Sequence, residues 1–156
     1  MTDFNEIAKI IDSHPAGPDF LGPIHPSKVR EAEEKLGVKF PRSYKEFLNL
    51  YGCGNFGGEI YGITPTNSGI PSAIWYTLEL RKEGYIPDWM VVVSDEDEYV
   101  FCLDTSVFDE RDECKVVSWI PGLLPFDRQP REISFDSFAD FLYERVQRAI
   151  QEGWWK

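Results

Sequence analysis

The chain reads as an α+β domain, an antiparallel sheet covered by helices that are segregated from it along the sequence. Three observations predict this. Segments 3–12 and 28–51 carry apolar residues at helical spacing. Residues 89–120 hold short β-branched and aromatic runs separated by turn residues. Residues 136–152 return to helical spacing. A length of 156 residues with 42% hydrophobic content suits a single domain over 1–156, in which 1–26 form an N-terminal helix and a proline-rich connector. Five Trp, seven Tyr and eleven Phe make its core aromatic.

The elements follow in order. Asp3 to about Asp12 predicts a short amphipathic helix with Phe4, Ile7, Ala8, Ile10 and Ile11 apolar. HPAGPDFLGPIHP, from His14 to Pro26, is too rich in proline and glycine for a continuous element. Ser27, or His25 ahead of Pro26, caps the next helix, whose Val29, Ala32, Glu33 and Leu36 share a stripe and which ends at Gly37. Pro41 opens another helix, with Ser43 and Glu46 in an S-x-x-E capping spacing and with Tyr44, Phe47, Leu48 and Tyr51 on one face. Gly52, Gly54, Gly57 and Gly58 stop it. Gly52, Gly54 and Gly57 spell G-x-G-x-x-G, but a helix precedes them and a strand-like EIYGI follows, the reverse of a dinucleotide-binding turn.

A strand over Glu59–Ile63 leads to a loop. IPSAIWYTLELRKEG then predicts a helix of about three turns, because Pro71, the Glu79 to Glu83 spacing and Gly84 suit one. Strands from Trp89 to Ser94 and from Glu98 to Asp104 form an antiparallel hairpin, Cys114–Ile120 is a third strand, and PGLLPFDRQPREIS is a loop. The last helix runs from Asp136 to about Glu152 with Phe138, Phe141, Leu142, Val146 and Ile150 on one stripe. Trp154 and Trp155 fall outside that stripe and either fold back over the core or join a contact surface.

Composition excludes several functions. With 27 acidic against 16 basic residues the net charge is -11, which opposes direct binding of nucleic acid or an acidic membrane and favours a basic protein partner. Cys53, Cys102 and Cys114 are odd in number and scattered, so reduced buried thiols are expected rather than a disulfide framework. The start MTDFNEIAKII lacks a basic region and an apolar signal core, and no apolar run reaches membrane-spanning length, so the expected compartment is the cytoplasm.

No constellation for chemistry emerges. His14 and His25 are the two histidines, and a zinc site built from them and the cysteines would draw on four separate segments. Asp95, Glu96, Asp97 and Glu98 resemble the start of a calcium loop, but Tyr99 and Val100 replace an oxygen ligand and the glycine, and Ser106 stands where the bidentate glutamate belongs. There is no G-x-S-x-G elbow, and no carboxylate pair is singled out among 27 acids. The expectation is a protein without catalytic residues, cofactor or metal.

AEEKLGVKFPRSYKEFLNLYGCGNFGG resembles the signature of the SUKH superfamily, the domain shared by a yeast cell-wall-synthesis regulator and many bacterial immunity proteins. The matching features are Leu36–Gly37, Phe40–Pro41, Tyr44, Phe47 and the glycines from Gly52, with FCLDTS at 101–106 and DSFADFL at 136–142 similar as well. The resemblance spans nearly the whole chain. It implies N-terminal and C-terminal helices packed on a twisted antiparallel sheet. It also implies a binding function: an immunity protein that neutralises a cognate toxin, such as a basic nuclease, or a regulatory scaffold in cell-wall synthesis or signalling.

The charge is unevenly placed. Between Asp95 and Glu113 the chain has nine acids and one base, Arg111, which is eight of the eleven excess negative charges. The connecting turns are expected to gather these acids at one end or edge of the sheet. Such charge keeps a surface solvated and blunts sheet edges. With the resemblance, Asp95, Glu96, Asp97, Glu98, Asp109, Glu110, Asp112 and Glu113 become candidate partner-binding residues, because an inhibitor of a basic toxin gains on-rate and specificity from them.

Overall fold

The computed structural model describes residues 3–13, 19–64, 72–123 and 129–153. Within them lie α1 (Phe4–Asp12), β1 (Asp19–Phe20), α2 (Pro26–Leu36), α3 (Arg42–Leu50), β2 (Gly54–Asn55), β3 (Glu59–Ile60), α4 (Ala73–Lys82), β4 (Met90–Asp95), β5 (Val100–Asp104), β6 (Val116–Trp119), β7 (Glu132–Phe135) and α5 (Phe138–Gln151). The single α+β domain is as the sequence predicts. Pro71, His14, Trp154 and Trp155 lie outside the described residues.

The main sheet is antiparallel in the order β4-β5-β6-β7, and a small antiparallel sheet has the order β1-β2-β3. Two bonds join them. The Tyr61 amide donates to the Val93 carbonyl at 2.7 Å, and the Ser94 hydroxyl donates to the Glu59 carbonyl at 3.0 Å. Three strand expectations change. β7 occupies part of the stretch expected to be loop, its Phe135 ring packing on Phe101 and Phe141 at 5.7 and 5.6 Å. The strand expected over 59–63 is just Glu59–Ile60, because Tyr61 turns to meet β4. The proline-rich connector supplies β1.

Local signals explain most helix ends. His25 caps α2, its Nδ1 accepting from the Ser27 amide at 3.1 Å, and Gly37 closes that helix at a φ of 66°, in the left-handed region. Glu33, half-buried beside that helix's buried stripe, accepts from the Phe40 amide at 2.7 Å and sets the entry to α3. Ser72 caps α4. The start of α3 departs from expectation. Pro41 is its N-cap and offers no side-chain bond. The carboxylate of Glu113, 70 residues away, accepts instead from the Ser43 amide at 3.2 Å and the Ser43 hydroxyl at 2.8 Å. That hydroxyl also accepts from the Ala139 amide at 3.2 Å, so one buried serine ties α3, α5 and the β5–β6 loop.

The core lies between α3, α5 and the sheet. Tyr44 packs edge-on to Phe40 and Phe138 at 5.1 and 4.9 Å and donates its hydroxyl to the Tyr61 carbonyl at 2.9 Å. Every residue of β5 is buried, so both its faces are covered, one of them by α5 where Phe101 meets Phe141 at 5.5 Å. On α5 the buried stripe is Phe138, Phe141, Leu142, Arg145, Val146 and Ala149, while Ile150 is 41% exposed. The glycine loop packs against this helix: a Cβ at Gly57 would collide with the Arg145 carbonyl and one at Gly58 with its guanidinium.

Candidate protein-docking surface

Antiparallel pairing separates the predicted acids. The β4–β5 turn, 96–99, enters β5 at Val100, and the β5–β6 loop leaves it at Asp104. Consecutive antiparallel connections alternate ends, and five residues of strand hold these two about 17 Å apart. The single acidic cluster expected from the sequence is therefore two.

In the first turn, Asp95 accepts from the Tyr76 hydroxyl at 2.6 Å and from the Asp97 amide at 2.8 Å. That second bond lets Asp97 take the left-handed conformation, φ 73°. Burial and Asp95 both hold the Tyr76 hydroxyl above its ordinary value. Glu96 turns inward to accept from Arg145, with the Ser94 hydroxyl oxygen 3.2 Å from the same carboxylate. Arg145 is 1% exposed; it also donates to the Gly57 carbonyl at 3.2 Å and to the Ser94 hydroxyl at 2.8 Å, and its guanidinium lies 5.0 Å from the Phe141 ring centre. Asp97 and Glu98 are exposed, and their carboxylates make no hydrogen bond or ion pair among the described residues.

The second loop spends most of its acids inside the fold. Asp109 accepts from the Arg111 and Glu113 amides at 2.8 and 3.0 Å, which hold its carboxyl below the usual range. Asp112 pairs with Lys39, an interaction that lowers its pKa too. Glu113 is 3% exposed and caps α3; burial raises its pKa against the opposing pull of Ser43. Glu110 is exposed with no partner among the described residues. Asp104, at this end of β5, accepts from Arg131 at 3.3 Å.

Beside the first turn the sheet carries an open groove of about 500 Å³. Val100 pairs with Trp119, so the end of β6 and the chain beyond it lie at the same end of the sheet as 96–99. Tyr99, Trp119, Ile120, Leu123, Pro130 and Glu132 line the groove, and no Lys, Arg or His does among the described residues. Ile120 is 46% and Leu123 49% exposed. Gln129 braces the wall by accepting from the Ile120 amide at 2.8 Å and donating to its carbonyl at 3.1 Å. Trp119 is buried and donates to the Tyr85 carbonyl at 3.2 Å. Among the other tryptophans Trp75 is 55% exposed, whereas Trp89 is half-buried beneath the Arg131 guanidinium, 4.1 Å from its ring centre.

Among the described residues no three His, Cys, Asp or Glu side chains are placed to hold a metal ion. Cys53, Cys102 and Cys114 are free and buried, and burial raises each thiol, Cys53 to about 11, which leaves them poor nucleophiles. A second cleft, about 420 Å³, lies where the N-terminal ends of α1, α3 and α5 meet, with Glu46 and Glu113 both held above the usual range by burial. Its Glu113 carboxylate is already taken by Ser43 and its Glu46 by Arg42 at 3.7 Å.

The family model SUKH_5, described as SMI1-KNR4 cell-wall, matches residues 4–147. The chain belongs to this family. The resemblance noted around Leu36–Gly37, Pro41 and Tyr44 thus falls on the α2 C-cap, the α3 N-cap and the centre of the SUKH core. Two parts of the candidate docking surface lie beyond simple sequence reading. Arg145 could be noticed as a cation at core spacing in α5, but its partner Glu96 could not. The groove needs the β5–β6 register, which no local signal specifies.

Proposed function

We propose that this SUKH-family chain is a cytoplasmic immunity protein, without catalytic activity of its own, that binds a cognate basic nuclease toxin and masks its active surface. One observation carries the reading. Among the described residues Asp97, Glu98 and Glu132 have no partner; Glu132 lines an apolar groove with no basic described lining residue, and Asp97 and Glu98 belong to the turn that leads into its Tyr99, in a chain of net charge -11. Apolar surface ringed by one sign of charge combines contact energy with electrostatic steering toward an opposite charge. A regulatory scaffold in cell-wall synthesis or signalling is the second reading, favoured by the family's cell-wall description.

Affinity capture from native cells at low salt, followed by expression of each captured protein alone and with this chain, separates the two. A basic nuclease whose toxicity disappears on co-expression in one-to-one complex supports immunity. Recovery of wall-synthesis or signalling proteins, none of them toxic, would replace it with the scaffold.

A further inference from the structure

We infer that the groove bounded by Tyr99, Trp119, Ile120, Leu123, Pro130 and Glu132 receives one aliphatic or aromatic side chain of a partner segment that carries Lys or Arg on either side of that anchor. This rests on the reading above, that this end of the sheet is the binding surface, and names the chemistry it takes.

Most polar side-chain groups that line the groove are already committed, the Tyr99 hydroxyl and the Glu132 carboxylate excepted. The Trp119 indole N–H is committed to the Tyr85 carbonyl, both amide atoms of Gln129 are committed to Ile120, and the Ser118 hydroxyl is committed to that of Ser134. A polar group buried against these committed groups would lose its water without replacement, which costs more than the contact returns. An anion meets no cation among the described lining residues. Apolar carbon fits both conditions: Ile120 and Leu123 are large and exposed and line the groove with the buried Trp119, the arrangement in which interface anchors concentrate their energy.

The rim selects the flanks. Glu132 lines the groove and Glu98 adjoins Tyr99, both exposed and without partners among the described residues. The Glu96–Arg145 pair meanwhile pins the turn that presents Glu98, so these charges are held in place before a partner arrives. A second copy of this chain is the wrong occupant, because it would bring its own acids to the same rim with a net charge of -11 on each side.

The test is selection from an unbiased random-peptide display library on the intact chain at low salt. The expected winners hold a Leu, Met, Phe or Trp between basic residues; Leu123→Ser weakens them about tenfold or more, and Glu98→Gln with Glu132→Gln weakens them less and flattens their salt dependence. Leu123 and both acids are exposed, so these variants keep the fold, as an unchanged thermal midpoint would confirm. Winners that are acidic or lack basic residues, or that bind the Leu123→Ser chain equally well, overturn the inference. So does self-association of the chain that Leu123→Ser abolishes. Basic peptides bound through Leu123 without any toxin suppressed in co-expression would leave the groove assignment standing and remove the immunity reading.

Discussion

The two acidic connections, 95–98 and 109–113, have nearly the same composition and opposite uses. In the second, the backbone amides of Arg111 and Glu113, Lys39 and the start of α3 take up Asp109, Asp112 and Glu113, leaving Glu110 as the acid without a partner among the described residues. In the first, Asp95 and Glu96 are spent on the turn and on Arg145, while Asp97 and Glu98 are exposed in the turn that leads into the groove's Tyr99. A count of acids treats the two alike. What differs is how many of those charges the fold has already used, and a charge that is already paired steers a partner weakly.

The contrast can be broken at its anchors. Arg145→Ala removes a guanidinium that is 1% exposed and leaves Glu96 without its partner. Breaking a buried pair in this way costs about 3–5 kcal/mol. Denaturant titration checks it, and a loss under about 1 kcal/mol would mean that Arg145 does not anchor the first turn. Glu113→Ala comes next, at about 2–3 kcal/mol, because it orphans the buried Ser43 amide and hydroxyl at the start of α3. Partner association should be untouched by that change once stability is corrected for. An altered on-rate would bring the second loop back into the interface.

Titration sharpens the same comparison. Glu113 is held above the ordinary glutamate value, so the folded chain binds its proton more tightly than the unfolded chain does. Its contribution to stability is full below the ordinary value and is lost as pH rises through the raised one. Asp112 is held low by Lys39 and works in the opposite sense, contributing above the ordinary aspartate value and losing that contribution as pH falls through the lowered one. Urea midpoints from about pH 3 to 7 should show Glu113→Gln removing the first dependence and Asp112→Asn the second. The Asp112→Asn change should cost below about 1 kcal/mol at neutral pH, since this pair is exposed to solvent.

The smallest effect on stability belongs to Asp97→Asn combined with Glu98→Gln, within about 0.5 kcal/mol, because neither carboxylate has a partner to lose among the described residues. Its effect should appear in stopped-flow association instead, as an on-rate slowed several-fold at low salt with a shallower salt dependence. Kinetics identical to the parent chain would take this turn out of the docking surface.

Much of this architecture is written locally. Gly37 ends α2 because the left-handed conformation suits glycine, His25 and Ser72 satisfy the amides next to them, and the stripe Tyr44, Phe47, Leu48 must be covered by something large. Each signal involves residues within about one helical turn, which is why sequence spacing reveals it. Even the alternation of the acidic turns between sheet ends follows from antiparallel pairing once three consecutive strands are assigned, although acid spacing on its own suggested one cluster. β7 escaped notice because its four residues sit in a proline-rich stretch and become a strand through pairing with β6 and through Phe135 joining the Phe101–Phe141 rings. Glu113 meeting Ser43 and Glu96 meeting Arg145 join residues 70 and 49 apart along the chain. Those meetings, like the groove beside Trp119, depend on which strands pair and in what register, and register is settled by what the faces of the whole sheet bury at once.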